Sequence, residues 1–187
     1  MVAINTSLLT MRLETERLII RPYIESDLMA SFQLMQDPEL FTYMHMGVLS
    51  FEDYKGLFDW LLSSYETPFN QPFKYSFAIV DKVNGDFIGW CGVGQLDFSA
   101  PDNELYYLIG RRYWGNGYAT EAAAALTAYA FEEIGLNRLL AKADSRNTAS
   151  MRVLDSLGFT FDRVLTGLTG DDEGCNGEYL YVRSARL

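Results

Sequence analysis

The feature that most constrains the fold of this chain is a pair of glycines, Gly115 and Gly117, between a predicted strand and a predicted helix. The strand covers residues 104–110, and the helix covers residues 117–134. Two glycines separated by one residue let the backbone turn tightly and bring successive N–H groups towards one point. Because that point is also a helix N-terminus, the segment predicts a binding site for an anion such as a pyrophosphate.

Four interpretations of this glycine pair compete. A Walker A loop ends in Gly-Lys-Ser/Thr, but here Gly117 is followed by tyrosine and alanine, so the phosphate lysine and the magnesium ligand are missing. A dinucleotide fingerprint needs a third glycine, and Thr120 stands at that position. The pattern R/Q-x-x-G-x-G/A, in which backbone amides hold the pyrophosphate of acetyl-coenzyme A, is matched by Arg112, Gly115 and Gly117. A glycine turn that only caps a helix is the simplest alternative.

Length and hydrophobic periodicity predict a single domain of mixed α/β class. Strands are predicted over residues 17–21, 75–81, 87–96, 104–110, 138–144, 159–165 and 178–184. Helices are predicted after Ser26 and over residues 51–65, 117–134 and 148–157. Asn84 and Gly85 predict a hairpin between the second and third strands. The long helix between two strands predicts at least one crossover, and hence a parallel strand pair.

Composition and charge narrow the possible functions. The formal net charge is −10 over 187 residues, and an acidic protein repels a phosphate backbone, so nucleic acid is not an expected partner. The N-terminus lacks the features of a signal peptide, and no apolar stretch is long enough to span a membrane. Cys91, Cys175 and the single histidine, His45, form no common metal-binding pattern. We therefore expect a cytoplasmic protein without a metal site.

Four blocks of this sequence resemble the GNAT N-acetyltransferase superfamily, and within it the RimJ/RimL-like branch of ribosomal-protein acetyltransferases. Residues 14–22 are similar to the first strand of that branch, and residues 104–109 to its central strand. Residues 113–122 are similar to its coenzyme loop, and residues 147–159 to its penultimate helix. The four blocks occur in the same order as in the branch, which makes the resemblance specific.

The resemblance implies domain limits and a fold. One N-acetyltransferase domain is expected over residues 14–187, after an N-terminal extension over residues 1–13. Its sheet is expected to be mixed, mostly antiparallel and six- to seven-stranded, with helices on both faces. The central strand is expected to splay from its neighbour at a bulge and to leave backbone groups free.

The resemblance also implies where acetyl-CoA, the co-substrate, binds. In the family, free backbone groups of the central strand pair with the pantetheine arm, and by position these belong to Tyr107, Leu108 and Ile109. The coenzyme loop and the start of the following helix hold the pyrophosphate. The matching residues here are Arg112, Trp114, Gly115, Asn116, Gly117, Tyr118, Ala119 and Thr120. Asn147 and Ser150 bind coenzyme in the family, although Asn147 also suits a helix N-cap.

Acetyl transfer to an amine needs a proton acceptor and help for the departing thiolate. Glu104 is the candidate general base, directly or through a water, because a glutamate occupies this point in the branch. A solvated glutamate at a strand end is the alternative. Many family members carry a tyrosine seven residues after the asparagine, but this chain has Leu154 there. Ser150, one helical turn earlier, is the candidate substitute, with a hydrogen bond to the sulfur as its role.

Two further groups of residues have two interpretations each. Arginines near these blocks either bind coenzyme phosphates or are simply solvated: Arg111, Arg112, Arg146 and Arg152. The aromatic and Met cluster of residues 41–46, with Trp60 and Tyr65, either forms the variable lid over the acceptor or packs in the core. In the first interpretation His45 lines the acceptor cleft.

The sequence therefore predicts an acetyl-CoA-dependent N-acetyltransferase that passes the acetyl group directly to a primary amine in a ternary complex. The acceptor is either a protein N-terminal α-amine, as the branch implies, or a small-molecule amine, and the negative net charge favours a cationic one. A non-catalytic acyl-CoA-binding sensor is the alternative, favoured by the missing tyrosine. A scaffold protein is a third possibility, but a scaffold has no need of a phosphate-binding loop. The oligomeric state is left open.

Overall fold

The computed structural model describes residues 6–185, within which eight strands form one sheet. In chain order they are β1 (Leu13–Glu14), β2 (Leu18–Pro22), β3 (Lys74–Asp81), β4 (Phe87–Gln95), β5 (Asn103–Ile109), β6 (Arg138–Ala143), β7 (Thr160–Val164) and β8 (Tyr179–Ser184). Across the sheet the order is β1, β2, β3, β4, β5, β6, β8, β7. Neighbouring strands are antiparallel except for β5 and β6, which are parallel.

The α-helices of the described residues flank this sheet. They are α1 (Thr6–Leu9), α2 (Leu28–Leu34), α3 (Phe51–Ser64), α4 (Tyr118–Glu132) and α5 (Thr148–Ser156). Successive side chains of a strand point to opposite faces, and β3 separates the two faces accordingly. Phe77 and Ile79 face α4 and α5, whereas Ala78 and Val80 face α2 and α3. None of these helices combines the length and the apolar character needed to cross a bilayer.

The predicted fold class is confirmed, because the chain forms one mixed, mostly antiparallel sheet with helices on both faces. The sheet has eight strands instead of six or seven. The additional strand is β1, whose two residues pair with β2 by placing Leu13 opposite Ile20. A strand of two residues carries no detectable periodicity, so the sequence alone could not reveal it.

The segment before residue 14 contributes to the main core. Leu8 is 0% exposed and Met11 is 6% exposed, and both pack among the residues that α4 covers. Residues 1–5 of the predicted extension lie outside the described residues, as do residues 186–187 of the predicted domain. The domain limits therefore stay a prediction.

Helix α4 packs closely on the sheet through small side chains. Ala122, Ala123 and Ala130 are each 0% exposed, and a methyl group lets the helix axis come nearer to the sheet than a larger side chain would. Thr127 on the same face satisfies its buried hydroxyl by donating to the Ala123 carbonyl at 2.7 Å. This packing holds the start of α4 beside the end of β5.

Candidate active site

Strands β5 and β6 pair at one position, so the sheet opens at its centre. Their parallel ladder consists of Glu104 opposite Leu140. Strands β4 and β5, by contrast, are paired from Gln95 opposite Asn103 to Gly89 opposite Ile109. Beyond Glu104, β5 therefore keeps a partner on one edge and has a free edge on the other. The expected splayed central strand is confirmed, but the bulge expected on it is absent, because β4 and β5 pair in continuous register from residue 103 to residue 109.

The free edge of β5 carries the backbone groups of Tyr107 and Ile109. Backbone groups of successive residues point to alternate edges of a strand. Gly110 donates its N–H to the Ile88 carbonyl of β4 at 2.8 Å, so Leu108, two residues earlier, also faces β4. Of the three residues predicted to pair with pantetheine, Tyr107 and Ile109 thus face the opening, and Leu108 offers its backbone to β4.

The loop after β5 is built around two left-handed glycines. Gly115 has a φ of 77° and Gly117 a φ of 79°, a conformation that costs a residue with a Cβ about 1–2 kcal/mol. The Asn116 side chain stabilises the turn, because its Nδ2 donates to the Tyr113 carbonyl at 3.1 Å and to the Trp114 carbonyl at 3.0 Å. Both glycines are therefore required by backbone conformation, as the spacing predicted.

The amides of this loop are free to bind an anion. Within residues 6–185, the N–H groups of residues 115–120 donate to no protein acceptor, and the first helical bond runs from Glu121 N–H to the Gly117 carbonyl at 3.0 Å. Free amides at a helix N-terminus attract phosphate groups. The Trp114 indole fixes the loop to the strand by donating to the Ile109 carbonyl at 2.6 Å. The residues present fit a pyrophosphate group.

Three of the four candidate phosphate-binding arginines are paired with carboxylates. The pairs are Arg111 with Asp37 at 2.7 Å, Arg112 with Asp86 at 3.7 Å and Arg146 with Asp144 at 2.7 Å. The Arg146 guanidinium holds the pKa of the Asp144 carboxyl down to about 2. Arg112 has the longest pair, stacks on the Tyr113 ring and is 71% exposed beside the loop. Arg152 is exposed on α5.

Glu104 is buried at the point where β5 and β6 separate. It is 6% exposed, so the alternative of a solvated strand-end glutamate is wrong. Its Oε1 lies 3.2 Å from the Lys74 Nζ, and its Oε2 lies 3.8 Å from the Lys142 Nζ. Burial would lower the pKa of Lys142, but Glu104 and other acidic neighbours raise it above its ordinary value. Glu104 therefore lies between two ammonium groups at the apex of the opening.

Helix α5 brings Ser150 against the other face of β5. Asn147 caps the helix, because its side-chain oxygen accepts from the Ser150 N–H at 3.1 Å. The Ser150 hydroxyl lies 2.8 Å from the Tyr107 hydroxyl, which is also 3.2 Å from the Ser150 carbonyl. Burial raises the pKa of Tyr107 to about 12, so this phenol stays protonated. The structure thus places two hydroxyl donors together at the opening.

A second buried carboxylate, which was not predicted from the sequence, lies on the same side as Glu104. Glu178 is 9% exposed, and its Oε1 lies 3.3 Å from the His45 Nε2. Burial raises the pKa of Glu178, while Lys142 and His45 oppose the rise. Gly174 packs against the His45 ring so closely that a Cβ there would lie 2.9 Å from it. A glutamate before a strand has no distinguishing pattern, and only the meeting of two distant loops reveals this cluster.

The cluster of residues 41–46 with Trp60 and Tyr65 is partly in the core and partly exposed, so each interpretation holds for some of its members. Phe41 is 8% and Tyr65 is 2% exposed, so these two residues belong to the core. Tyr43 and Trp60 are 38% and 49% exposed, and they lie on the face that carries Glu104 and Glu178. A surface groove of about 440 Å³ extends from there, lined by Trp60, Ser63, Ser64, Thr67, Pro72, Phe73, Lys74, Gln95 and Asp97. Among the described residues, no group of acidic, His or Cys side chains is arranged to hold a metal ion.

Comparison with known proteins agrees with this geometry. A family model described as an acetyltransferase (GNAT) domain matches residues 17–160. A Bacillus licheniformis protein named "Uncharacterized N-acetyltransferase p20" is 33% identical over 174 residues, which cover 91% of this chain and 92% of the relative. The solved structure of an acetyltransferase from Agrobacterium tumefaciens is 28% identical, with a TM-score of 0.74 over 94% of this chain and 95% of that one. A GNAT-family acetyltransferase from Bacillus anthracis, 24% identical, shares the fold with a TM-score of 0.77 over 93% of this chain and 98% of that one. The chain therefore belongs to the GNAT family of acetyltransferases, enzymes that take the acetyl group from acetyl-CoA.

Proposed function

We propose that this enzyme binds acetyl-CoA and a primary amine together and transfers the acetyl group directly between them. The observation that carries the proposal is the combination of the free amides of residues 115–120 with the open edge of β5. A ligand that places a diphosphate on those amides and an extended pantetheine arm along that edge has the two parts of acetyl-CoA. Tyr107 supplies its backbone N–H and carbonyl to the arm, and Ile109 supplies its N–H, since the Ile109 carbonyl accepts from the Trp114 indole.

The chemistry requires one bond to form, one to break and one proton to leave the amine. The amine nitrogen attacks the acetyl carbonyl carbon, the N–C bond forms, and the C–S bond breaks to release the thiolate. A backbone N–H on the free edge polarises the carbonyl oxygen. Glu104 accepts the proton from the amine, directly or through a water, and Ser150 donates a hydrogen bond to the departing sulfur.

For the acceptor, we propose a protein N-terminal α-amine, as in the RimJ/RimL-like branch. The similarity of residues 14–22, 104–109 and 113–122 to that branch supports this choice. The open groove beside Lys74 is consistent with an extended acceptor, because a groove leaves room for residues beyond the reacting amine. A small cationic amine is the second candidate, favoured by the net charge of −10.

A non-catalytic acyl-CoA-binding module is the alternative function. Leu154, at the position where many family members carry a tyrosine, is the observation that favours it. The two proposals agree on donor binding and differ in turnover. A module of this kind binds acetyl-CoA and releases no thiol with any amine.

Calorimetric titration of acetyl-CoA, followed by thiol release in the same sample across a panel of amines, tests both proposals. The panel contains peptides with free N-termini, the same peptides blocked by formylation, and small polyamines. Binding with turnover on free but not blocked peptides supports the N-terminal acceptor. Binding without turnover favours the module, and absence of binding contradicts the proposed function.

A further inference from the structure

Two sequence blocks that are far apart in the chain meet beneath the phosphate-binding loop. The first contains Thr15 and Arg17, ahead of β2, and the second contains Glu121, in the first turn of α4. The Glu121 carboxylate accepts from the Thr15 hydroxyl at 2.6 Å and from the Arg17 N–H at 2.8 Å. The Nε and Nη2 of the Arg17 side chain lie 2.7 Å and 2.6 Å from the Glu121 Oε2. The Glu121 carboxylate is therefore held by four contacts, three of them from Arg17.

The same guanidinium also touches the loop. Its Nη1 donates to the Asn116 carbonyl at 2.8 Å, and its central carbon lies 4.5 Å from the centre of the Tyr118 ring. Its Nη2 lies 3.5 Å from the place where a Cβ on Gly117 would be. Arg17 thus contacts Asn116 and Tyr118 and lies beside Gly117 between them, in the segment whose amides are free.

These contacts are suited to holding the loop of residues 115–118 in one conformation. The flexibility of Gly115 and Gly117 allows the backbone to form a turn that binds an anion. The same flexibility lets the unbound loop adopt many other conformations. Donors bind an anion well when they are fixed in place beforehand. Asn116 lies between the two glycines, so the hydrogen bond from Arg17 to its carbonyl restricts the backbone of the loop at its middle residue.

The pairing also removes an unfavourable charge. A lone carboxylate at Glu121, one turn from the free amides, would repel an anionic ligand. Arg17 neutralises it, and the hydrogen bonds of Glu121 raise the pKa of the Arg17 guanidinium further above its usual range. The pair contributes no net charge, so its effect on ligand binding comes from the shape of the loop.

We propose that Arg17, anchored by Glu121, is a positioning residue that fixes the loop amides for the diphosphate of acetyl-CoA. This inference rests on the proposed function, since it takes acetyl-CoA as the donor. It gives a role to residues 14–22, the first block that resembles the branch. The binding of acetyl-CoA by β5 and the loop does not by itself explain that block. Donors without a diphosphate do not depend on this pair.

The test compares two donors in three variants and one control. R17Q, R17K and E121Q are assayed with acetyl-CoA and with S-acetylpantetheine, which lacks the diphosphate and the nucleotide, and acetyl-CoA affinity is also measured by calorimetry. R12Q is the matched control, because Arg12 forms an ion pair with Glu14 at 2.8 Å on the surface nearby.

We expect the Kd and KM for acetyl-CoA to rise about 10- to 100-fold in R17Q and R17K. We expect S-acetylpantetheine turnover to change less than about twofold, and R12Q to match the wild type. Lysine keeps the charge but cannot reproduce the forked contacts, so full activity in R17K would overturn the inference. Equal losses with both donors, or unchanged acetyl-CoA affinity in R17Q, would also overturn it. Failure of the wild-type protein to bind acetyl-CoA would instead contradict the proposed function itself.

Discussion

The Tyr107 hydroxyl lies 2.8 Å from the Ser150 hydroxyl and joins the open edge of β5 to the first turn of α5. Leu154, where many family members have a tyrosine, is 1% exposed and packed in the core. It has no donor group, whereas the Tyr107 phenol and the Ser150 hydroxyl form a pair of donors between β5 and α5. Helix α5 thus has an apolar side chain at residue 154, and a hydroxyl of β5 lies against its first turn.

The first prediction concerns this pair. We expect S150A to lower kcat about tenfold, because one hydrogen bond to a developing thiolate contributes about 1.4 kcal/mol. KM for acetyl-CoA should change less than about twofold. Y107F should give a smaller loss of about threefold, since it removes the group that orients the Ser150 hydroxyl. Steady-state kinetics with the best amine of the panel measure both values.

Ser156 offers a matched control on the same helix. It is exposed, and its hydroxyl donates to the Val153 carbonyl at 2.7 Å within α5. S156A should therefore leave kcat unchanged. An S150A enzyme with wild-type kcat would mean that the thiolate needs no donor from this helix.

The second prediction concerns Glu104. We expect E104Q to lower kcat about 100-fold or more, in the range for loss of a general base, while acetyl-CoA affinity stays the same. The amide keeps the size of the side chain but cannot accept a proton from the amine. Turnover and calorimetric titration of the same sample separate the two effects.

Folding must be checked in this variant, because Lys142 loses a charged partner 3.8 Å away. A thermal melt supplies that check. E39Q removes an exposed carboxylate outside the site and should match the wild type in every assay. If folded E104Q binds acetyl-CoA and keeps wild-type turnover, the base lies elsewhere; absence of turnover even in the wild type favours the acyl-CoA-binding module.

Local patterns predicted the elements of this fold well. The small-residue face of α4 and the left-handed Gly115 and Gly117 follow from helical spacing and from backbone sterics within a short segment. The hairpin at Asn84 and Gly85 is present, but its connection spans residues 82–86, because Asp81 accepts from the Val83 and Asn84 N–H groups and widens the turn. Turn length depends on such side-chain bonds, which a dipeptide signal does not contain.

Contacts between distant segments could not be predicted. Arg17 and Glu121 are 104 residues apart, and their approach depends on α4 packing across β2. Likewise, the buried Glu178 lies 3.3 Å from His45, which belongs to a distant loop. Each partner alone has an ordinary sequence environment. Register and loop closure, and not residue type, bring these groups together.

The third prediction concerns Gly117. Space is not limiting there, since the nearest atom to a Cβ would be the Arg17 Nη2 at 3.5 Å. The φ of 79° is limiting, and a β-branched residue tolerates it poorly. We expect G117V to weaken acetyl-CoA binding at least about tenfold, because the loop amides can no longer take their positions. Calorimetry gives the Kd.

Gly85 provides the control for backbone strain alone. Its φ is 75°, and a Cβ there would meet no atom within 4 Å. G85V should lower the melting temperature to an extent similar to G117V and keep the wild-type Kd for acetyl-CoA. Tight binding by G117V would contradict the position assigned to the diphosphate.

The fourth prediction concerns the pH dependence of stability. Burial raises the pKa of Glu178 above its ordinary value of 4.5. Lys142 and His45 oppose the rise, and Asp144 and Glu104 add to it. The unfolded chain then ionises at a lower pH than the native one, so stability falls as pH rises from 4.5 through the native pKa. A neutral residue at this position escapes that loss.

We therefore expect E178Q to gain in melting temperature relative to the wild type between about pH 4 and pH 8, because the wild type alone must keep a buried carboxylate charged at the higher pH. Glutamine keeps the size of the side chain, whose oxygen lies 3.3 Å from the His45 Nε2 in the wild type. E173Q removes a carboxylate from an exposed position of the same loop, so its melting temperature should follow the wild type at both pH values. Thermal melts of the three proteins at both pH values measure the differences. A lower melting temperature for E178Q at pH 8 than for the wild type would mean that attraction to Lys142 and His45 outweighs the cost of burial.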